Sequence, residues 1–188
     1  MADRAAHGLG PDWVPGADGI PCRAAARVVV LDARDRVLLV RGHDAGAPER
    51  SWWFTVGGGI AAGETAREAA VRELFEETGV RADPADLAGP VLRRSSIFDF
   101  ARVTCRQDEE FFLLRLDHAD DAVGTAAREG WTELEADVLD ELRWWAPDDL
   151  AAHAATGAEV FPIGLAAMLG EWLRGWDGVT RSVREGGA

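Results

Sequence analysis

The stretch over residues 58–80 constrains this chain more than any other part of its sequence. It starts with a glycine-rich turn and continues into a segment made mostly of good helix formers. Thr65 and Glu68 have the spacing of a capping box, and Gly79 is the type of residue that commonly follows the last turn of a helix. The sequence therefore predicts a loop followed by one helix, with Thr65 as the N-cap and Gly79 at the C-terminal end.

The acidic residues of this helix share one face. Glu73, Glu76 and Glu77 are related as i, i+3 and i+4, and Arg72 lies beside them. Like charges at this spacing repel each other by roughly a few tenths of a kcal/mol, and a cation placed between them reverses the sign of that interaction. Mg²⁺ or Mn²⁺ suits the site because both ions are hard and prefer oxygen ligands. A solvated acidic helix face is the alternative interpretation.

The spacing of the whole stretch is more specific than its charge. It contains a glycine, five residues, a glutamate, seven residues, and then Arg-Glu-Leu-x-Glu-Glu-x-Gly-Val. At roughly 7% per residue type, a chance match to seven fixed positions is on the order of one in a million for a chain of this length. The pattern resembles the Nudix box in full, and the flanking order of strands and helices extends the resemblance loosely to most of the chain. The positions fixed in type are Gly58, Glu64, Arg72, Glu73, Glu76, Glu77 and Gly79.

Nudix hydrolases cleave a nucleoside diphosphate linked to another group X and use Mg²⁺ or Mn²⁺, so the resemblance implies this reaction and this cofactor. By match to the motif, Glu76 and Glu77 would be the main metal ligands. Glu73 would be a further ligand or the general base that activates water. The backbone carbonyl of Gly57, directly before the box, would complete the set of metal ligands.

The remaining box residues have supporting roles in the family. By the same resemblance, Arg72 would orient the catalytic carboxylates through ion pairs, and Glu64 would support the loop or a metal-bound water. The chain departs from the family pattern at one position, because Val56 stands before the glycines where proline is usual. This departure concerns the rigidity of the loop and leaves the carboxylates intact.

Composition limits the other function classes. The chain has 188 residues, of which 47% are hydrophobic and 28% charged, as in a globular domain. Its net charge of −13 disfavours binding to duplex nucleic acid through phosphate contacts. Two cysteines, Cys22 and Cys105, make no disulfide framework, and neither a signal peptide nor an apolar run long enough to span a membrane is visible. We expect a cytoplasmic protein with a small nucleotide diphosphate substrate and no membrane partner; a homodimer is an expectation from the resemblance alone.

Three segments follow from the pattern along the chain. Glycine and proline mark residues 1–21 as an irregular arm, residues 22–176 form the single Nudix domain, and residues 177–188 form a flexible tail. Strands precede and follow the one motif helix, with a turn over residues 105–108 and further helices near the C-terminus. This order predicts a mixed β-sheet between helices, an α/β/α sandwich, which is also the fold that the resemblance implies.

Residues outside the box are candidates for binding the substrate. Arg41 ends the second predicted strand and could meet a phosphate, although a solvated strand end is an equal interpretation. Trp53 could stack on a base and Phe98 could line a base pocket, with core packing as the alternative for both. The family often recruits one further acidic residue, and the sequence leaves five candidates open: Glu109, Glu110, Glu133, Glu135 and Glu141.

The substrate is less constrained than the reaction. Family members that cleave ADP-ribose often have a proline about 16 residues beyond the box, where this chain has Ser96. We therefore expect a nucleoside triphosphate, in normal or oxidised form, cleaved to the monophosphate and pyrophosphate. ADP-ribose and nucleotide sugars are alternatives. A Nudix module that senses nucleotides without hydrolysis is another alternative, which the intact set of box carboxylates disfavours.

Overall fold

A mixed sheet of nine strands forms the body of the computed structural model, which describes residue 9 and residues 12–44, 47–100, 103–118, 123 and 139–186. The strands are β1 (Val14–Pro15), β2 (Pro21–Leu31), β3 (Val37–Asp44), β4 (Ala47–Gly59), β5 (Ala88–Phe100), β6 (Val103–Arg115), β7 (Leu139–Trp145), β8 (Glu159–Phe161) and β9 (Arg181–Glu185). The helices are α1 (Ala66–Thr78), α2 (Pro147–Ala155) and α3 (Leu165–Trp172), with a 3-10 turn at Pro84–Asp86. This architecture confirms the predicted α/β/α sandwich.

The strands follow the spatial order β7-β3-β4-β2-β6-β5-β9, with β1 paired to β2 and β8 paired to β4. Central strand β2 is parallel to β6 and antiparallel to the end of β4. β4 pairs with β3 as far as Thr55 and with β2 from Val56 to Gly59. The glycines that open the motif therefore still pair with β2, with Gly57 opposite Arg27, and the loop leaves the sheet after Gly59.

The apolar side chains of β2 alternate between two core clusters. Val28 and Val30 pack with Leu74 of α1 on one face of the sheet. Val29 and Leu31 pack on the other face with residues of α2 and α3. Both faces of the central strand are thus covered by helices, which explains why its sequence from Ala24 to Leu31 is a continuous apolar run interrupted only by Arg27.

The ends of α1 are those that the sequence predicts. The backbone N–H of Glu68 bonds the Thr65 hydroxyl, and the Glu68 carboxylate accepts from the Thr65 N–H at 2.8 Å. Gly79 adopts φ 76° after the last turn, and its N–H bonds the Phe75 carbonyl. The guanidinium of Arg67 donates to two carbonyls of the following connector and to the carbonyl of Gly89 in β5, which fixes the helix against the start of that strand.

Two expectations about the C-terminal half need correction. The predicted turn over residues 105–108 is wrong, because these residues lie inside β6, where Gln107 is buried and pairs with Ser96 of β5. The tail predicted to be flexible contains β9, which pairs in parallel with β5 from Arg181 to Glu185. Ion pairs to side chains elsewhere in the fold hold this strand, while the domain boundaries themselves stay a prediction.

Within the described residues, no helix combines the length and the apolar composition that a membrane crossing requires.

Candidate active site

One guanidinium group connects three carboxylates of the box. Arg72 makes a bidentate pair with Glu64, with both N–O distances at 2.9 Å. Its Nη1 also donates to Glu73 at 2.7 Å and to Glu76 at 2.9 Å, and its Nη2 donates to the carbonyl of Gly59 at 3.0 Å. Charge-assisted bonds of this kind are short and directional, so Arg72 fixes the carboxylates relative to the loop. These contacts are the ones that the predicted orienting role of Arg72 requires, and the role itself stays a prediction.

Two glycines bring the loop backbone against the helix. The Gly57 N–H donates to Glu77 Oε2 at 2.8 Å, and the residue has φ 130°. A Cβ atom on Gly57 would lie 2.2 Å from the carbonyl oxygen of Ala26, and one on Gly58 would lie 2.7 Å from the carboxylate of Glu73. Only glycine allows this approach, so the loop forms a cradle in which the Glu73 carboxylate lies directly on the backbone.

The site concentrates negative charge beneath the surface. Glu73 is 6% exposed and Glu77 is 4% exposed. Hydrogen bonds from Arg72 hold the pKa of the Glu64 carboxyl below its usual value, although partial burial opposes the shift. The same bonds raise the pKa of the Arg72 guanidinium, which stays charged. Within this set of five side chains, carboxylates outnumber the guanidinium four to one, which favours a cation.

The donor atoms suit a hard divalent ion. Glu73, Glu76, Glu77 and the Gly57 carbonyl offer oxygen only, and the cradle at Gly58 admits a carboxylate where any side chain would collide. Among the residues described, no group of three acidic, histidine or cysteine side chains is already arranged to hold a metal ion. Arg72 bonds Glu73 and Glu76 while the loop bonds Glu77, so binding an ion requires these carboxylates to turn toward one point. The ligand types fit Mg²⁺ or Mn²⁺.

The Gly57 carbonyl has a partner that the sequence analysis missed. Arg27 of β2 donates through Nη1 to this carbonyl and through Nε to Glu109 Oε1 at 2.8 Å. Burial alone would raise the pKa of the Glu109 carboxyl, but the charges of Arg27 and Arg94 outweigh it and lower that pKa. The signal was present in the sequence, because Arg27 is the one charged residue in the otherwise apolar run from Ala24 to Leu31.

The five acidic candidates for a further site residue differ in where the structure places them. Glu109 is fully buried between two arginines, and Glu110 bonds Arg93 at 2.9 Å on the neighbouring strand. Glu141 lies on β7 beside Arg41, and two strands, β3 and β4, separate β7 from β2 in the sheet. The remaining two candidates, Glu133 and Glu135, lie outside the described residues.

Two of the predicted substrate-binding residues, Arg41 and Trp53, lie apart from the carboxylates. Arg41 and Trp53 are register partners on β3 and β4, and Trp53 precedes Gly57 by four residues, about 13 Å along the strand. Trp53 packs edge-to-face on Trp145 at 5.1 Å in the core, which is the alternative left open for it. Phe98 contacts Trp13 of the N-terminal arm at 6.3 Å between ring centroids.

A pocket of about 830 Å³ adjoins the box loop. Its lining includes Ile60 and Ala66 together with residues of the strands β2, β5, β6 and β9. Arg93, Arg184 and Glu110 are among the charged residues that line it. Both signs of charge therefore face a space large enough for a nucleotide-sized ligand.

Comparisons with known proteins give the chain its family. The family model described as the NUDIX domain matches residues 21–162. An RNA pyrophosphohydrolase of Tolumonas auensis is 29% identical over 141 residues, which cover 69% of this chain and 75% of that protein. A putative 8-oxo-dGTP diphosphatase of Bacillus subtilis is 44% identical over 57 residues, 30% of this chain and 35% of that protein.

The fold of the chain is also similar to that of a solved MutT protein. The crystal structure of a MutT protein from Methanosarcina mazei Go1 superposes with a TM-score of 0.54 at 19% identity, covering 82% of this chain and 95% of that one. This likeness concerns the fold, whereas the domain match covers most of the sequence. The chain belongs to the Nudix family, and the enzyme class that its box predicts, a hydrolase, is confirmed.

Proposed function

We propose that the chain is a divalent-metal-dependent hydrolase that cleaves the diphosphate bond of a nucleoside diphosphate linked to a group X. The Nudix domain and relatives named pyrophosphohydrolase and diphosphatase support a reaction at pyrophosphate bonds. The observation that carries the proposal is the arrangement of Arg72, which holds Glu64, Glu73 and Glu76 against the backbone of Gly59. This arrangement gathers several carboxylates beside one another, and binding one cation would need them to turn toward it.

Each box residue has a task in this proposal. Glu73, Glu76, Glu77 and the Gly57 carbonyl hold Mg²⁺ or Mn²⁺, which when bound neutralises phosphate oxygens and lowers the pKa of the attacking water. Glu73 is also the proposed acceptor of a proton from that water, a role supported by the position of its carboxylate against the backbone of Gly58. Arg72 keeps the carboxylates oriented, and Glu64 keeps Arg72 in place.

The substrate that we propose is a nucleoside triphosphate, in normal or oxidised form, with the monophosphate and pyrophosphate as products. The likeness to a putative 8-oxo-dGTP diphosphatase supports this choice. A second candidate is the 5′ end of a single-stranded RNA, favoured by the longer match to an RNA pyrophosphohydrolase. The net charge of −13 disfavours contacts along a duplex, but it does not oppose binding of one polyphosphate end beside a metal ion.

A hydrolysis panel with Mg²⁺ and with Mn²⁺ tests the proposal. It contains nucleoside triphosphates including 8-oxo forms, 5′-triphosphorylated RNA, ADP-ribose, nucleotide sugars and dinucleoside polyphosphates. Glu76→Gln removes a proposed metal ligand, and Glu159→Gln serves as the matched control because Glu159 also pairs with an exposed arginine, Arg50, away from the box. We expect metal-dependent turnover of one class that is lost in Glu76→Gln and kept in Glu159→Gln.

A different result would favour the sensing module. If no substrate turned over, and a nucleotide bound tightly and equally to wild type and Glu76→Gln, the hydrolase proposal would be refuted. The cytoplasmic location and the homodimer stay predictions as well. Light scattering coupled to size-exclusion chromatography tests the homodimer, which a monomer mass of 20.3 kDa in solution would exclude.

A further inference from the structure

A buried carboxylate connects the Gly57 carbonyl to the rest of the sheet. Glu109 Oε1 accepts hydrogen bonds from Arg27 Nε at 2.8 Å and from Gln107 Nε2 at 2.6 Å, and its Oε2 accepts from Arg94 Nε. The Glu109 side chain has no exposed surface, and those of Arg27 and Arg94 are 10% and 9% exposed. A buried charge is tolerated only when it is paired and hydrogen-bonded, as this one is on both oxygens.

The N-terminal arm attaches to this network. Gln107 Oε1 accepts from Arg23 Nε at 2.6 Å, and Arg23 Nη1 donates to Asp12 at 2.9 Å. Asp12 also lies against the box loop, because a Cβ atom on Gly59 would come within 2.5 Å of its carboxylate oxygen. Asp12 of the arm therefore contacts both the glycine loop, at Gly59, and the hydrogen-bonded network behind it, through Arg23.

The C-terminal strand attaches to the opposite end. Arg94 Nη1 donates to Glu185 of β9 at 2.7 Å, and the other oxygen of Glu185 accepts from the Ile163 N–H at 2.8 Å. The Glu185 side chain is 10% exposed. Two arginines, Arg27 and Arg94, thus alternate with two carboxylates, Glu109 and Glu185, so the buried row is balanced in charge only when β9 is in place.

Asp12 and Glu185 both lie outside residues 21–162, the part of the chain that matches the family domain. We propose that Arg27 and Glu109 are positioning residues that orient the Gly57 carbonyl toward the metal, and that the arm and β9 hold them in place. A carbonyl oxygen has two lone pairs, so the bond from Arg27 fixes its direction and leaves one lone pair for an ion. Glu109 neutralises the guanidinium, which would otherwise repel a cation at the same oxygen.

The inference rests on the proposed function, and metal binding without substrate tests it. Mn²⁺ is titrated into the full chain, with free Mn²⁺ followed by electron paramagnetic resonance. Partners behind a metal ligand typically change metal affinity by about 10- to 100-fold, so we expect the Mn²⁺ Kd to rise by about tenfold in Glu109→Gln and by less in Glu185→Gln. Glu171→Gln is the matched control, because Glu171 pairs with Arg181 and also holds β9, but lies outside the buried row.

Two further measurements separate positioning from general damage. In EDTA, hydrogen exchange of the peptide containing Gly57 should be faster in Glu185→Gln than in Glu171→Gln. Where turnover is measured, excess Mn²⁺ should restore kcat of Glu185→Gln with the substrate KM unchanged, which a loss of folded protein would not allow. If Glu109→Gln fails to fold, Glu185→Gln, whose carboxylate is at the edge of the network, supplies the test.

The outcomes are distinguishable. Wild-type protein that binds no Mn²⁺ would refute the proposed function and this inference with it. Wild-type binding that is unchanged in Glu185→Gln, or changed equally in Glu171→Gln, would overturn the positioning role alone and leave the hydrolase intact.

Discussion

Replacing Gly58 by alanine tests the cradle directly. The added Cβ would lie 2.7 Å from the Glu73 carboxylate, whereas ordinary contact begins at 3.4 Å, so the carboxylate has to move by about 0.7 Å. Misplacing a catalytic group by about 1 Å can cost about 10²-fold in rate, and we expect kcat to fall by roughly that factor. The free energy of unfolding should change by no more than about 1 kcal/mol, because the obstacle is the end of a flexible side chain.

Two other glycines serve as controls for this substitution. Gly170→Ala meets no atom within 4 Å in α3, so it should keep kcat and stabilise the helix by about 1 kcal/mol. Gly57→Ala meets backbone at 2.2 Å with φ 130°, so it should destabilise the fold by about 2 kcal/mol or more. Initial rates and urea unfolding measure both quantities. Gly58→Ala protein with wild-type kcat and wild-type Mn²⁺ affinity would refute the account of the cradle.

Two more predictions concern the charges around Arg72. Arg72→Lys keeps the positive charge but cannot form the bidentate pair with Glu64. We therefore expect kcat, measured by initial rates, and Mn²⁺ affinity, measured by titration, each to fall by about 10- to 100-fold. Equal values in the variant and the wild type would contradict the orienting role. The folded-state pKa of Glu64 is lowered, so its stabilisation is full above its ordinary pKa of about 4.3 and is lost as pH falls through the folded value. Urea unfolding between about pH 5 and pH 2 should therefore show a shallower loss of stability in Glu64→Gln than in wild type.

The box was predictable because its rules are local. The cap at Thr65, the end at Gly79 and the common face of Glu73 and Glu76 depend on residues three or four positions apart. The apolar run of β2 likewise predicts a buried central strand without knowledge of its neighbours. From these elements the fold class followed, since strands on both sides of one helix favour a mixed sheet between helices.

The errors came from contacts between distant residues. Residues 105–108 look like a polar turn, yet Gln107 is buried because Arg23 and Glu109 satisfy its amide, and Arg23 is 84 positions away in the sequence. β9 has few apolar residues and looks like a mobile tail, yet Arg94, 91 positions away, pairs with its Glu185. No local window of the sequence contains both members of the pairs with Arg23 and Arg94, so the sequence alone does not show that Gln107 is buried and Glu185 largely so.

Arginine side chains hold the glycine loop both from the helix, through Arg72, and from the sheet, through Arg27. The chain has no lysine, so its 20 basic residues are all arginines, and the two at the loop each serve several acceptors. Arg72 bonds three carboxylates and one carbonyl, and Arg27 bonds one carboxylate and two carbonyls. A lysine ammonium lacks the planar fork that makes such contacts in fixed directions. The glycine loop is therefore held from opposite sides, by Arg72 on the helix and by Arg27 on the sheet, and a change at either arginine should reach the same backbone between Gly57 and Gly59.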